Sequence, residues 1–391
     1  MRAGRMNGFP GSTPEFDVLV IGAGPAGSIA ARGLALAGLR VRMIDKATFP
    51  RRKVCGCCLN GNALAALENV GLGDLPAKLG AVPLHTFLTA TAGRMAAVPL
   101  KGVSLSRDAL DVALIGEAVK AGVEFREGVN HSPQSGETAF PRLGDAGGRC
   151  PPAFITVYAS GLNGVPSTVA NTSRLGAGTI LEHAPAFYEP GRIYMAVGTG
   201  GYVGLVRLED GRLDAAAAFD PAFVRSCGGM GNAAERVVKE AGFPPLGWSS
   251  GFSPSLMPDT DGLKPELQLN AWKGTPALTR TPNAIAGPGW FAVGDAAGYV
   301  EPFTGEGMAW AISGAAAVVP LVRQMLAGDT AGAIAGWTKQ HAKIIGRRQR
   351  TCRKLARLLR SPGIYEWVVR GMHWFPAIAR PVVRALNRPN A

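Results

Sequence analysis

Charge is sparse in this chain, and cysteine sparser. Asp, Glu, Lys and Arg make up 18% of its 391 residues, below the usual quarter of a globular protein. Six cysteines in a chain this long are too few for a disulfide framework, and three of them crowd together as Cys55, Cys57 and Cys58. That usage points to a reducing compartment. Long apolar runs are missing as well. The longest, 308–322, is about 15 residues and contains Gly314 and Pro320, too short and interrupted to span a bilayer. Residues 1–15 carry Arg2 and Arg5 with no apolar run behind them, which excludes a signal peptide and reads as a disordered leader. The five histidines (His85, His131, His183, His341 and His373) show no partner pattern for a nucleophilic triad, and no second Cys/His cluster has zinc-ligand spacing. No metal is expected.

What is present is a normal hydrophobic fraction of 47% and much Gly and Pro, 53 and 29 residues, a mixture that implies many turns or loops passing close to a ligand. The net charge of +13 is local. Residues 337–391 hold 13 Lys and Arg against the single acid Glu366, so +12 sits there and +1 is left for the rest. A field confined in this way suits an anionic face: a membrane surface, a phosphorylated substrate or an acidic carrier protein, rather than nucleic acid.

Residues 16–21 read as a buried strand, followed by Gly22-Ala23-Gly24-Pro25-Ala26-Gly27, an Ala/Leu-rich helix over 28–37 closed by Gly38, and a second strand over 39–44 ending in Asp45 and Lys46. This is a dinucleotide fingerprint in its full context. Gly22 permits the tight turn, Gly24 lets backbone approach a pyrophosphate, and Gly27 lets helix and strand pack closely. The helix N-terminus offers free N–H groups to phosphate, and Asp45 can accept from ribose hydroxyls. The fingerprint alone does not separate NAD from FAD. A distant segment does: a short apolar strand over 290–293 leads into Gly294-Asp295-Ala296-Ala297-Gly298 and then Pro302-Phe303-Thr304-Gly305-Glu306-Gly307-Met308 at the mouth of a long Ala-rich helix. The acid can accept from ribityl hydroxyls, and the Gly-rich helix start can aim N–H groups at the anionic edge of a reduced flavin.

These two segments, with Ser106-Arg107-Asp108-Ala109-Leu110 between them, resemble the flavoprotein superfamily of p-hydroxybenzoate hydroxylase and geranylgeranyl reductase over most of residues 16–335. The stretch Pro50-Arg51-Arg52-Lys53-Val54-Cys55-Gly56 is similar to the reductase branch in particular. The resemblance implies a cofactor site formed by Gly22, Gly24, Pro25, Ala26, Gly27, Asp45, Lys46, Lys53, Cys55, Gly56, Arg107, Gly294, Asp295, Pro302, Gly305, Glu306, Gly307 and Met308. In it Asp295 would meet the ribityl chain, Arg107 the phosphates, and Gly305 to Gly307 the isoalloxazine. Cys55 is the candidate proton donor beside the flavin, against the alternative of a small buried hydrophobe. Cys57 and Cys58 receive no catalytic role.

The chain departs from the branch in three places. Gly204 and Val206 stand where many of these reductases carry aromatics, while Tyr202 matches. Ser160 replaces an Asp in the second flavin motif, and residues 128–153 keep no strand period. A halogenase Trp-x-Trp-x-Ile-Pro stretch is lacking. Tyr202 and Trp272 are candidate substrate contacts, and His85 falls in the same sheet region.

The expectation is an α/β flavoprotein. A Rossmann-like FAD-binding domain (16–79, 106–180 and 277–335) is interleaved with a mixed-sheet α+β substrate domain (80–105 and 181–276), and a basic C-terminal helical segment covers 336–391. An amphipathic helix is expected over 339–360, broken at Pro362 and Gly363. The function implied is FAD-dependent reduction of C=C bonds in an apolar, isoprenoid-like substrate, with NAD(P)H as a transient electron donor. The alternatives are hydroxylation of an aromatic or polyketide-like substrate, or a non-catalytic flavin-carrying scaffold at a membrane. The expected location is cytoplasmic, peripheral on the inner face of a membrane. Oligomeric state is open.

Overall fold

The computed structural model describes residues 15–130, 153–183, 185–246, 272–301, 303 and 305–374. The chain opens with β1 (Phe16–Ile21), α1 (Pro25–Leu36) and β2 (Val41–Ile44). Pro25 occupies the first turn of α1, where its missing N–H costs nothing, and Gly38 leaves the helix at φ +86°. Next come β3 (Cys58–Asn60), α2 (Gly61–Asn69), α3 (Leu75–Lys78), the long hairpin β4 (Val82–Thr91) and β5 (Arg94–Ser104), α4 (Arg107–Lys120), β6 (Glu124–Arg126) and β7 (Ala153–Tyr158). Ser106 caps α4, its hydroxyl accepting from Ala109 N at 3.1 Å. The strands β8 (Ser167–Val169), β9 (Leu175–Leu181), β10 (Arg192–Gly198), β11 (Gly201–Arg207) and β12 (Leu213–Phe219) lead to α5 (Pro221–Ser226) and α6 (Met230–Ala241). The chain returns through β13 (Lys273–Ala277), β14 (Arg280–Pro282), β15 (Ala286–Gly287) and β16 (Trp290–Ala292). Four helices follow: α7 (Gly307–Leu326), α8 (Thr330–His341), α9 (Arg347–Leu358) and α10 (Pro362–Trp374).

Two main sheets result. The first has the order β15-β16-β7-β1-β2-β6 and is parallel except at β15, with α1, α4 and α7 packed around a core of Val18, Val20, Leu34, Phe291 and Ile312. This is the doubly wound arrangement that the fingerprint implied. The second, β13-β9-β12-β11-β10-β4-β5-β3, is antiparallel except where β10 meets β4. Its β3 and β9 come from segments that the sequence assigned to the FAD-binding part. Period-two alternation divides its faces: Val203, Leu205, Ala215 and Phe219 face α6, while Tyr202, Gly204, Ala216 and Ala218 border the cavity described below.

The long apolar run is longer than expected as a helix: α7 has the length and apolarity to cross a bilayer, but half of it is buried against α1, α2 and α8. Trp337 of α8 is fully buried in the same core and donates its Nε1–H to Ala292 O at 3.1 Å. The basic helix expected over 339–360 is divided by a π-helical turn at Ala342–Gly346. Pro362 and Gly363 do not merely end it: Pro362 opens α10, the position where proline is tolerated. This last helix lies against β4 and β5, and Tyr365 shares a 2.7 Å hydrogen bond with Thr89. Residues 131–152, the bulk of the irregular 128–153 stretch, lie outside the described residues.

Candidate active site

The first Gly-rich turn is closed by contact. Gly22 sits at φ +106°, and a Cβ there would stand 2.4 Å from Ala159 O; a Cβ on Gly27 would stand 1.7 Å from Gly22 O. No side chain fits at either. Gly24 differs, because the nearest atoms to its Cβ position are Arg51 Nη2 at 3.6 Å and Arg107 Nη2 at 3.7 Å. Two guanidiniums therefore face the open side of the loop at the N-terminus of α1, the charge and donor set that a diphosphate requires. Asp45 is fixed beside them, accepting from Ala23 N at 2.8 Å and Ala47 N at 2.9 Å, with Arg51 Nη2 3.3 Å away. Arg51 Nε is buried without a hydrogen bond.

Arg107 is anchored from below by Asp111, one turn along α4, through two 2.8 Å hydrogen bonds. Burial works against its charge, but Asp111 and Cys55 more than offset this and raise its pKa. Burial lowers the pKa of Lys53, helped by Arg107 and opposed by Asp295; burial raises that of Asp295, opposed by Lys53 and Arg107. These residues fit an FAD. Gly24, Arg51 and Arg107 would hold the diphosphate, Asp45 the adenosine ribose, and Asp295 the ribityl chain, with Gly294, Gly305 and Gly307 leaving room for the ring.

Cys55 lies in the same cavity. A hydrogen bond from Cys57 and the nearby Arg107 hold its thiol well below the ordinary value against the opposing effect of burial. Cys57 goes the other way, raised by its bond to Cys55 and by burial. Burial likewise raises Cys58, whose Sγ donates to Gly56 O at 2.9 Å.

Beyond Cys55 the cavity, about 770 Å³ in all, becomes an apolar chamber between the second sheet and α10. Phe303 is its hub, with ring centroids 5.2 Å from Tyr202, 5.8 Å from Phe87 and 6.3 Å from Tyr365. Glu301, a buried carboxylate 3.2 Å from Arg174 and 3.5 Å from Arg360, is a charged neighbour of Tyr202, whose pKa burial and this acid raise. Met195, Leu358, Val368 and Met372 complete the walls.

The expected residues Gly22, Gly24, Pro25, Ala26, Asp45, Lys46, Lys53, Cys55, Gly56, Arg107, Gly294, Asp295, Gly305, Gly307, Met308 and Tyr202 all border this one cavity. Gly27 does not border the cavity and keeps the close-packing role expected of it, since a Cβ there would stand 1.7 Å from Gly22 O. Two expectations need correction. Glu306 turns away from the cavity: it accepts from Asn62 at 3.1 Å and from Arg348 at 2.8 Å, so it ties the start of α7 to α2 and α9. Trp272 does not border the cavity but packs with the Tyr188, Tyr194 and Phe243 cluster; Lys273, Gly274, Thr275 and Pro276 form the wall in its place. His85 is exposed on β4 and is not part of the lining. Pro302 is outside the described residues. Asp111, Glu301 and Asp214 were missed, since no motif marks them in the sequence.

Residues 15–172 match the FAD binding domain family. A menaquinone reductase of Mycobacterium tuberculosis is 58% identical over 57 residues, 15% of this chain and 14% of the relative. The stretch matched thus spans a small part of that relative's length. A digeranylgeranylglycerophospholipid reductase of Methanothermobacter thermautotrophicus is 28% identical over 370 residues, covering 87% of this chain and 83% of the relative. Among solved structures, the flavin-dependent brominase Bmp2 superposes with a TM-score of 0.70 at 17% identity over 95% of this chain and 93% of its own, a likeness of fold. Fold and cradle together are those of an FAD-binding protein. The chain is thus similar over most of its length to a digeranylgeranylglycerophospholipid reductase, and its residues 15–172 carry the FAD binding domain.

Proposed function

We propose that this chain saturates carbon–carbon double bonds of an apolar, isoprenoid-like substrate. The observation that carries this reading is the continuity of one cavity. Its charged end suits a diphosphate, and its far end, walled by Phe87, Met195, Tyr202, Phe303, Tyr365 and Met372, offers a long apolar chain a surface made mainly of hydrocarbon, sulfur and aromatic rings. A bound, reduced flavin would supply the hydride. The protein then has to hold the alkene, exclude water and deliver one proton. Cys55 lines the same cavity beside Arg107 and is the candidate donor of that proton. The names of the two reductase relatives support the same substrate class. Reduction of the yellow holoprotein by NAD(P)H, compared with dithionite, tests the expected donor. The anaerobically reduced protein is then offered a polyprenyl lipid or prenylated quinone, and a product about 2 Da heavier is expected. Incorporation of oxygen into a phenol under air, without saturation of any prenyl compound, overturns the reading in favour of a hydroxylase.

We further propose that the protein works at an anionic lipid surface. Lys343, Arg347, Arg350, Lys354 and Arg357 are exposed at alternating spacings of four and three residues, which places them on one side of the π-turn and α9. Ile364 and Trp367 on the next helix, α10, are 56% and 70% exposed. Tyr365 and Val369 of the same helix are buried, so a surface engaging α10 reaches the outer side of the chamber wall. Cosedimentation with phosphatidylglycerol vesicles, lost in phosphatidylcholine vesicles and in high salt, is the expected result; binding only to an acidic protein overturns it.

A further inference from the structure

Cys57 and Cys58 have no part in the chemistry above, and Cys55 has only the part of an acid. Their arrangement fits another reaction. Cys55 is half-buried on the cavity wall beside Arg107, and Cys57, two residues on, lines the same cavity. Cys57 itself is 2% exposed and adopts φ +48°, left-handed backbone that a non-glycine residue seldom takes. Cys58 is engaged elsewhere through its bond to Gly56 O. Gly56 between the pair is exposed, and a Cβ there would meet nothing within 4 Å, so the loop has room to tighten.

We propose that Cys55 and Cys57 are a peroxide-reactive dithiol, with Cys55 as the attacking sulfur and Cys57 as the resolving one. In the first step the Cys55 thiolate attacks one oxygen of a hydroperoxide. An S–O bond forms and the O–O bond breaks; the sulfur loses two electrons, and the departing hydroxide takes a proton to become water. In the second step the Cys57 sulfur attacks Cys55, the hydroxyl leaves with the Cys57 proton as a second water, and a Cys55–Cys57 disulfide remains. The oxidant is hydrogen peroxide, which reduced flavins generate on meeting oxygen.

The surroundings favour the attacking role of Cys55. Its charged neighbours are Arg107, with Asp111 behind it, Lys53 and Asp295 along the cavity, and the buried Asp214; among them Arg107 favours the negative charge on the sulfur. Cys57 has the same buried acid, Asp214 of β12, for a neighbour but no cation among its own, and burial and that acid favour its protonated form. Disulfide formation would remove the acid of the proposed reduction and block the thiol against further oxidation.

The test exposes the purified holoprotein to excess hydrogen peroxide, caps residual thiols with N-ethylmaleimide and maps the cysteine peptides. A mass loss of about 2 Da confined to the peptide holding Cys55 and Cys57, restored by dithiothreitol, is expected. In Cys57→Ser the Cys55 sulfenic acid should persist and be trapped by dimedone; in Cys55→Ser neither product should form. Cys55 left fully alkylatable after peroxide, or linked to Cys58 or another cysteine, overturns the proposal. The wild-type map alone decides this, so a variant that fails to fold does not leave the matter open. Because the readout is covalent mass, it is independent of which substrate the enzyme reduces.

Discussion

Arg107 and Asp111 sit one turn apart on α4 and meet through two 2.8 Å hydrogen bonds in a site where Asp111 has no exposed surface. The pair aims a guanidinium at the open side of Gly24 while neutralising it from below. Replacing Asp111 by Asn leaves a buried cation without its counter-charge, which should cost about 3–5 kcal/mol of stability. Urea denaturation of the holoprotein measures the loss, and flavin-fluorescence titration should show weaker FAD binding. An unchanged midpoint would mean that Arg107 does not depend on Asp111.

Two glycines of one loop should behave differently. Gly27→Ala drives a methyl into Gly22 O, a backbone atom 1.7 Å away, and should give no folded yellow protein. Gly24→Ala meets only side-chain nitrogens 3.6 and 3.7 Å off, so the protein should fold yet bind FAD at least about tenfold more weakly, through lost access to the phosphates. Circular dichroism and the visible spectrum of each variant distinguish failure to fold from failure to bind.

Chamber volume should set substrate length. Met372→Trp adds bulk to the α10 wall and should lower kcat/KM for long prenyl chains by about tenfold or more while sparing short ones. Steady-state rates across a chain-length series check it. Equal losses at every length would place the substrate elsewhere.

His341 is buried with Nε2 unbonded, and burial pushes its pKa down to about 4. The unfolded chain takes up this proton near pH 6.5, the folded chain only near the lower value. Its contribution is therefore intact above about pH 6.5 and is lost progressively as pH falls towards 4, by about 3 kcal/mol at most. Denaturation midpoints between pH 7 and 4 should show this slope in the wild type and a shallower one in His341→Leu.

Much of the cofactor side was legible in the chain because its determinants are local. The turn from Gly22 to Gly27, the strand ends at Asp45 and Val293, and the Ser106 cap each lie within a few residues of what they organise. The partnerships were not legible. Glu306 finds Asn62 and Arg348, Glu301 finds Arg174 and Arg360, and Asp214 faces Cys57; each acid is separated from its partners by tens to hundreds of positions. No spacing rule links them, since they meet only after two sheets and the last helices have packed. Trp272 was misplaced for a related reason: its neighbours 273–276 do form the wall, but which way one residue faces at the start of a strand depends on register.

The face of the chamber formed by α10 comes later in the chain than every other part of its lining. During synthesis the flavin cradle and both sheets emerge before that face exists, so the cofactor meets an open trough. Closure is then a separate, final assembly event, and a ribosome stalled before α10 would leave a coloured protein with no enclosed space for its substrate.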